Sequence, residues 1–147
     1  QERPVTGERH LTFVIHEGTR TRLGEVRFDG FSSFSEGALR IRFFKAGGDL
    51  LQSGYYVEAQ GRSAANQLID WIRAQGYLSA RLVSIHPVFR RDFRGPIVDL
   101  TVYLTEGVQT LLRSVSFEGL QRMSQEEAVR LLRLKEGAPL NLFSFTE

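Results

Sequence analysis

The sequence predicts an α+β fold made of a repeated unit, whose elements follow the order strand, helix, helix, strand, strand. Residues 11–18 recur 89 positions later as residues 100–107, and residues 23–30 recur as residues 112–119. Two stretches with helical spacing of apolar residues lie between segments in which apolar and polar residues alternate. A fixed internal period of this kind indicates tandem modules.

The repeat divides the chain into three parts. We expect residues 1–18 to hold a connector and the closing strand of a preceding module. Residues 19–107 form a complete module, and residues 108–147 hold the opening strand and first helix of the next one. Residues 45–50 also match residues 135–140, with one residue inserted between the copies. A unit of this size can bury a modest core of its own.

The first half of the module is predicted to be a strand followed by a helix. Residues 11–16 predict a closing strand, and residues 23–29 alternate in the way that is typical of a half-buried strand. Ser35 is the predicted N-cap of the first helix. In the next copy, Ser124 and Glu127 predict a capping box.

The second half of the module is predicted to hold a loop, the second helix and a hairpin. Glycine-rich residues 46–54 indicate a loop, and Gly76 is a predicted left-handed C-cap for a helix over residues 57–75. A strand over residues 82–89 and a turn over residues 90–96 lead to the last strand. The buried face of the helix contains Ala64, Ala65, Leu68, Ile69 and Ile72, and one face of the first hairpin strand contains Val83, Ile85, Pro87 and Phe89.

Composition excludes several classes of protein. The chain has 147 residues, a net charge of +2, 41% hydrophobic residues and no cysteine. Disulfides and thiolate metal sites are therefore excluded. No stretch approaches the roughly 20 apolar residues of a membrane helix. A nucleic-acid-binding protein usually carries a larger and more concentrated positive charge.

No group of residues indicates catalysis, a metal or a cofactor. His10, His16 and His86 are scattered, and the glycines of residues 46–49 lack the spacing of a phosphate-binding loop. We therefore predict a protein that is not an enzyme. The best candidate for an electrostatic contact is a set of arginines on and beside the hairpin, which would suit phosphates, acidic headgroups or an acidic protein face. They are Arg81, Arg90, Arg91 and Arg94.

Four features together resemble POTRA domains, the tandem periplasmic modules of outer-membrane barrel assembly and translocation proteins of the BamA and TamA type. The elements have the same order, and the first strand ends in Phe-Asp-Gly or Phe-Glu-Gly. The second helix ends at Gly76-Tyr77, and the closing strand ends in Glu-Gly. The resemblance covers nearly the whole chain.

The resemblance implies a fold, a location and a function. The fold is a three-stranded mixed sheet covered on one face by two helices, with the closing strand in the middle and residues 81–89 at an edge. The location is the periplasm of a Gram-negative bacterium, attached to the outer membrane through a barrel outside this chain. The partners are unfolded outer-membrane proteins and accessory lipoproteins or chaperones, with no nucleic acid and no cofactor.

A client strand would add to the exposed sheet edge by β-augmentation. Pro87 interrupts the row of donors along this edge, because proline cannot donate a backbone hydrogen bond. The residues expected to bind the client are Arg81, Leu82, Val83, Ser84, Ile85 and His86, and Arg90, Arg91 and Arg94 form a candidate patch for an acidic partner.

Three other functions stay open. A two-partner secretion transporter carries the same type of module. A division protein does so too, but resembles a single-module arrangement. A basic α+β nucleic-acid-binding module is the rival from a different class, motivated by the arginines of the hairpin. We also expect head-to-tail self-association of this fragment, in which residues 11–15 of one chain pair with residues 113–117 of a neighbour.

Overall fold

The computed structural model describes residues 11–14 and 19–142, and these form an α+β fold with one mixed sheet. The strand order is β1-β3-β2, with β1 parallel and β2 antiparallel to β3. The predicted sheet, with the closing strand in the middle and the strand after the second helix at an edge, is confirmed. In chain order the elements are β1 Arg22–Asp29, α1 Glu36–Ala46, α2 Gly48–Gln52, α3 Glu58–Ala74, β2 Arg81–Asp92, β3 Gly95–Thr105 and α4 Gln125–Leu131.

The core lies between the sheet and helices α1 and α3. Alternate residues of β3 are buried, and they pack with the apolar faces of the two helices. The predicted burial of Leu68 and Ile72 is confirmed, since they are 1% and 0% exposed. The core residues of β3 are Val98, Leu100, Val102 and Leu104.

The predicted helix ends are confirmed. The Ser35 hydroxyl accepts a hydrogen bond from the Ala38 backbone N–H at 3.2 Å. Ser124 and Glu127 form the full capping box at the start of α4. After α3, Gly76 has a φ of 90°, the left-handed conformation that ends a helix most easily with glycine.

The loop predicted over residues 46–54 is wrong in its centre, because Gly48–Gln52 form helix α2. Gly48, with a φ of 71°, allows the chain to change direction after α1. Leu51 then points inward and is 0% exposed. Burial of one leucine thus gives this glycine-rich segment a structure that its local composition did not indicate.

The hairpin turn is shorter than predicted. Strand pairing continues to Asp92 and Gly95, so only Phe93 and Arg94 form the turn. Asp92 stabilises this end, because its carboxylate pairs with Arg22 of β1 and accepts a hydrogen bond from the Arg94 backbone N–H at 2.8 Å. Contacts from another strand, which the local sequence does not reveal, extend the hairpin.

The predicted placement of Val83 is wrong. The register between β2 and β3 shifts between Leu82 and Ser84, which marks a β-bulge. As a result, Leu82 and Ile85 pack against the core, while Val83 is 58% exposed. Past the bulge, Ile85, Pro87 and Phe89 share a face as expected, along a groove beside α3.

Two predicted strands are not formed. Residues 11–14 are exposed and have no strand structure, and residues 113–117 lie in an irregular segment. Residues 15–18, 1–10 and 143–147 lie outside the described residues. By contrast, β1 is held by parallel pairing with β3. Within residues 11–14 and 19–142 neither of the two segments has such a partner, so neither gains the ladder hydrogen bonds of a strand.

The predicted match of residues 45–50 with residues 135–140 is also wrong. Residues 138–140 pair with residues 110–112 through bonds from Leu112 N to Ala138 O, 2.8 Å, and from Leu140 N to Thr110 O, 2.9 Å. The same pattern joins residues 21–23 to residues 54–56. The structural counterpart of residues 138–140 is therefore 54–56, and the second copy lacks an equivalent of α2.

The Glu-Gly ending of β3 locks the strand to the loop that follows β1. The Glu106 carboxylate is buried and accepts four hydrogen bonds, from the backbone N–H and the hydroxyl of both Ser32 and Ser33, at 2.7–3.2 Å. Burial alone raises the pKa of Glu106, but these hydrogen bonds outweigh it and hold the pKa below its ordinary value. The sequence shows Glu-Gly only as the end of the closing strand and does not reveal this role.

Truncation of the buried face of α3 tests the core. Leu68→Ala or Ile72→Ala is expected to lower the free energy of unfolding by about 2–4 kcal/mol, because each leaves a cavity in a closed core. Chemical denaturation measures the loss. Ile41→Ala, on the exposed side of α1, is the control and should change it by less than about 0.5 kcal/mol. Equal effects at Ile41 and Leu68 would contradict the assigned face.

Substitution of Glu106 tests the lock at the end of β3. Glu106→Gln should lower stability by about 1–3 kcal/mol at pH 7, since buried donors lose a charged acceptor. The folded pKa is depressed, so the stabilisation is present above the ordinary glutamate pKa and is lost as pH falls through the folded value. Wild type and variant should therefore converge below about pH 4. A gap between them that does not depend on pH would contradict this account, and the exposed Glu36→Gln is the matched control.

Candidate functional site

The two edges of the sheet differ in what covers them. At the start of β1, Leu23 N donates to Gly54 O at 2.8 Å, and Tyr56 N donates to Thr21 O at 2.9 Å. Farther along, the Arg40 guanidinium donates to Val26 O at 2.8 Å. The module itself therefore covers the outer edge of β1 at residues 21–23 and at Val26.

The outer edge of β2 is open over its length. Among the described residues, no backbone hydrogen bond outside the ladder with β3 involves residues 81–92. An edge strand of this kind presents unpaired N–H and C=O groups to a strand from another chain. The 12 residues of β2 thus form the candidate site.

Pro87 indicates which backbone groups face outward. Pairing runs without interruption from His86 to Val88 on either side of it. A proline fits a paired edge strand where its nitrogen faces away from the partner. Because orientation alternates along a strand, the backbone groups of Ile85 and Phe89 also face the open edge. The outward N–H groups of Ile85 and Phe89 therefore flank Pro87, which has no N–H group to donate.

The structure brings the six predicted client-binding residues together at the start of β2. Leu82 and Ile85 are half-buried against the core, and Val83 is exposed at the bulge. Ser84 lies opposite Tyr103, and the rings of His86 and Tyr103 are 5.0 Å apart between centroids. Arg81 lies opposite Thr105, at the far end of the strand from the hairpin turn.

The sequence did not reveal a groove on the helix side of this edge. Its floor and its strand wall are formed by Ile85, Pro87 and Phe89, and Phe89 is 64% exposed. The opposite side is lined by Tyr56, which precedes α3, and by Glu58 and Arg62 near the start of the helix. The alternation of residues 85, 87 and 89 was the available signal, but the sequence did not show that α3 begins beside them.

The arginines of the hairpin do not form one basic patch. Arg81 lies at the other end of β2 from Arg90, nine residues or roughly 30 Å away. Arg90 is paired with Asp99 through two hydrogen bonds, at 2.6 and 3.1 Å. Arg94 lies over the Phe93 ring at 5.2 Å, and Arg91 has no ion pair among the described residues. Near the turn, this leaves Arg91 and Arg94 for an acidic partner.

The open face of the sheet carries balanced charges. A hydrogen bond from Arg90 and another from the Glu25 backbone N–H lower the pKa of Asp99. A hydrogen bond from Arg27 likewise lowers the pKa of Glu25. These carboxylates neutralise the arginines beside them, which weakens the case for nucleic acid on this face.

The helices of the described ranges are all too short or too polar to serve as a membrane span. Across the same ranges, His, Asp and Glu side chains form no cluster of three that would suit a metal ion.

Comparison with known proteins identifies one similar curated protein. No protein family model matches the chain. Over 139 residues the chain is 28% identical to a putative outer membrane protein assembly factor of Treponema pallidum strain Nichols. The match covers 93% of this chain but only 17% of that protein, so the chain spans less than a fifth of its relative.

Several solved structures have a similar arrangement. They include POTRA domains 3–5 of BamA from Haemophilus influenzae, with 19% identity, 87% of this chain and 48% of that chain covered, and a TM-score of 0.49. The N-terminal domain of Omp85 from the cyanobacterium Thermosynechococcus elongatus has 19% identity, coverage of 88% and 48%, and a TM-score of 0.39. By sequence the chain is similar to an outer membrane protein assembly factor, and by the order of its elements it resembles a POTRA module.

Proposed function

We propose that the chain is a periplasmic POTRA region of an outer-membrane protein assembly factor, and that it binds extended segments of unfolded outer-membrane proteins along the edge of β2. One observation carries the proposal: among the described residues the backbone of β2 has no partner besides β3, whereas the edge of β1 is covered in part, by residues 54–56 and by Arg40. The similarity to an assembly factor supports the location and the class of client.

The binding mode is β-augmentation, in which the backbone of the client supplies most of the affinity. The outward groups of Ile85 and Phe89 donate and accept, whereas Pro87 only accepts. Client side chains on the helix side would lie beside Phe89 and Tyr56 in the groove, which favours apolar and aromatic residues there. Barrel strands alternate apolar and polar residues, so one face of such a strand suits this groove.

The expected affinity is low. Four to six backbone hydrogen bonds at roughly 1 kcal/mol each leave a dissociation constant no tighter than about 0.1 mM after ordering costs. An assembly factor must release its client, and weak pairing permits this. Arg91 and Arg94, at the hairpin end of β2, would contact an acidic accessory lipoprotein or chaperone.

A peptide titration tests the client site. With the ¹⁵N-labelled chain and an extended, aromatic-rich peptide from a barrel strand, we expect amide shifts in residues 81–86, since these lie on the open edge. NMR spectroscopy at millimolar peptide measures them. A scrambled peptide in which apolar and polar residues no longer alternate is the control. Shifts confined to the faces of α1 and α3, or no shifts, would contradict the proposal.

Restoring the missing donor tests the pairing itself. Pro87→Val adds one outward N–H in the middle of the edge, so peptide affinity should increase about fivefold, the effect of one hydrogen bond of about 1 kcal/mol. The amide shifts should also extend to residues 87–89. Ile41→Ser, on the exposed side of α1, is the control and should bind as wild type does. Unchanged or weaker binding by Pro87→Val would show that the client does not pair along this edge.

A further inference from the structure

The segments that follow β3 form a socket around the end of α3. Thr110 N donates to Gly76 O at 2.7 Å, and the Gln109 side-chain amide donates to Gln75 O at 2.9 Å. Pro139 closes the socket, because a Cβ atom built on Gly76 would lie only 3.1 Å from Pro139 Cβ. We call Gln109, Thr110, Pro139 and Leu140 the downstream socket.

The same backbone arrangement occurs once more, at the start of the complete module. There the bonds from Leu23 N to Gly54 O and from Tyr56 N to Thr21 O reproduce those from Leu112 N to Ala138 O and from Leu140 N to Thr110 O. A bridge pairs Arg22 with Tyr55 in one copy and Leu111 with Pro139 in the other. The counterparts of the downstream socket are Arg20, Thr21, Tyr55 and Tyr56, which we call the upstream socket.

The upstream socket offers a backbone donor and a side-chain donor, as the downstream socket does. Its backbone donor, the Thr21 N–H, has no acceptor among the described residues, whereas the equivalent N–H of Thr110 is bonded to Gly76 O. Arg20 stands where Gln109 stands, so one side-chain donor replaces another. Its guanidinium lies 5.6 Å from the centroid of the Tyr55 ring, which provides a flat apolar surface in the position of Pro139.

We propose that the upstream socket binds the helix-ending glycine turn of a preceding module of the same kind. The glycine carbonyl of that turn accepts from Thr21 N–H, and the carbonyl before it accepts from Arg20. The glycine itself lies against Tyr55. The last carbonyls of a helix lack partners within the helix and carry partial negative charge, which suits a backbone donor and an arginine. Glycine is required because the socket leaves no room for a Cβ atom, as at Gly76.

The upstream socket lies beside the outer edge of β1, and the proposed client edge is β2, on the other side of β3. Tyr56 belongs to the upstream socket and also lines the groove beside β2.

Amide hydrogen exchange tests the proposal, with the full-length protein compared with the 147-residue chain. In the 147-residue chain, the Thr21 amide should exchange at least about tenfold faster than the Thr110 amide, because only Thr110 is bonded. In the full-length protein the Thr21 amide should become protected to a similar degree as Thr110. Fast exchange at Thr21 in both proteins would overturn the proposal.

Variants of the full-length protein test whether the socket residues hold the segment that protects Thr21. Arg20→Glu and Tyr55→Asp should each accelerate exchange at Thr21 at least about tenfold and leave Thr110 unchanged. Arg20→Ala is a milder substitution that keeps the test valid if Tyr55→Asp destabilises the module. Ile41→Asp, on the exposed side of α1, is the matched control. Protection of Thr21 that survives all three socket variants would mean that a different segment covers it, and would overturn the proposal.

Discussion

Strand β3 is the constraint on which the rest of the module depends, because it is the strand paired along both of its edges. Its alternate residues supply the sheet side of the core, and Glu106 at its end fixes the loop that leads into α1. Residues 11–14 and 113–117 show what happens without such a partner. They resemble a closing and an opening strand in sequence, yet they form no strand within the described chain, because a strand is stabilised by its neighbours more than by its own residues.

The position of β3 also determines where function can lie. With β3 in the middle, the module has two edges, and its own residues cover part of one of them. Residues 54–56 and Arg40 occupy the side of β1, and the helices occupy one face. The other face carries paired charges, such as Arg90 with Asp99. What is left is the long edge of β2 with its apolar groove. The proposed site for extended clients is the strand edge that the fold leaves unpaired, and such a site uses no catalytic group.

Features set by local chemistry could be predicted from the sequence, and features set by distant contacts could not. The caps at Ser35 and Ser124 depend on neighbours a few residues away, and so does the apolar face of α3. By contrast, α2 exists because Leu51 reaches the core, and the hairpin is long because Arg22 of β1 pairs with Asp92. The bulge at Val83, the groove under Phe89 and the neutralisation of Arg90 likewise depend on partners from other elements. From the sequence, the candidate site could be assigned to β2, but its bulge, its groove and its charge pairing could not be predicted.

The measurement that most directly tests the account is the detection of backbone contacts between β2 and a bound client strand. Nuclear Overhauser effects can be recorded between the ¹³C,¹⁵N-labelled chain and an unlabelled barrel-strand peptide. If the client pairs antiparallel to the open edge, short α-proton contacts between the strands will appear at Ser84 and His86, whose own N–H and C=O groups face β3, in one register within residues 81–86. Contacts from the peptide only to the side chains of α1 and α3, or contacts to the outer edge of β1, would contradict the central claim that the unpaired edge of β2 is the binding site.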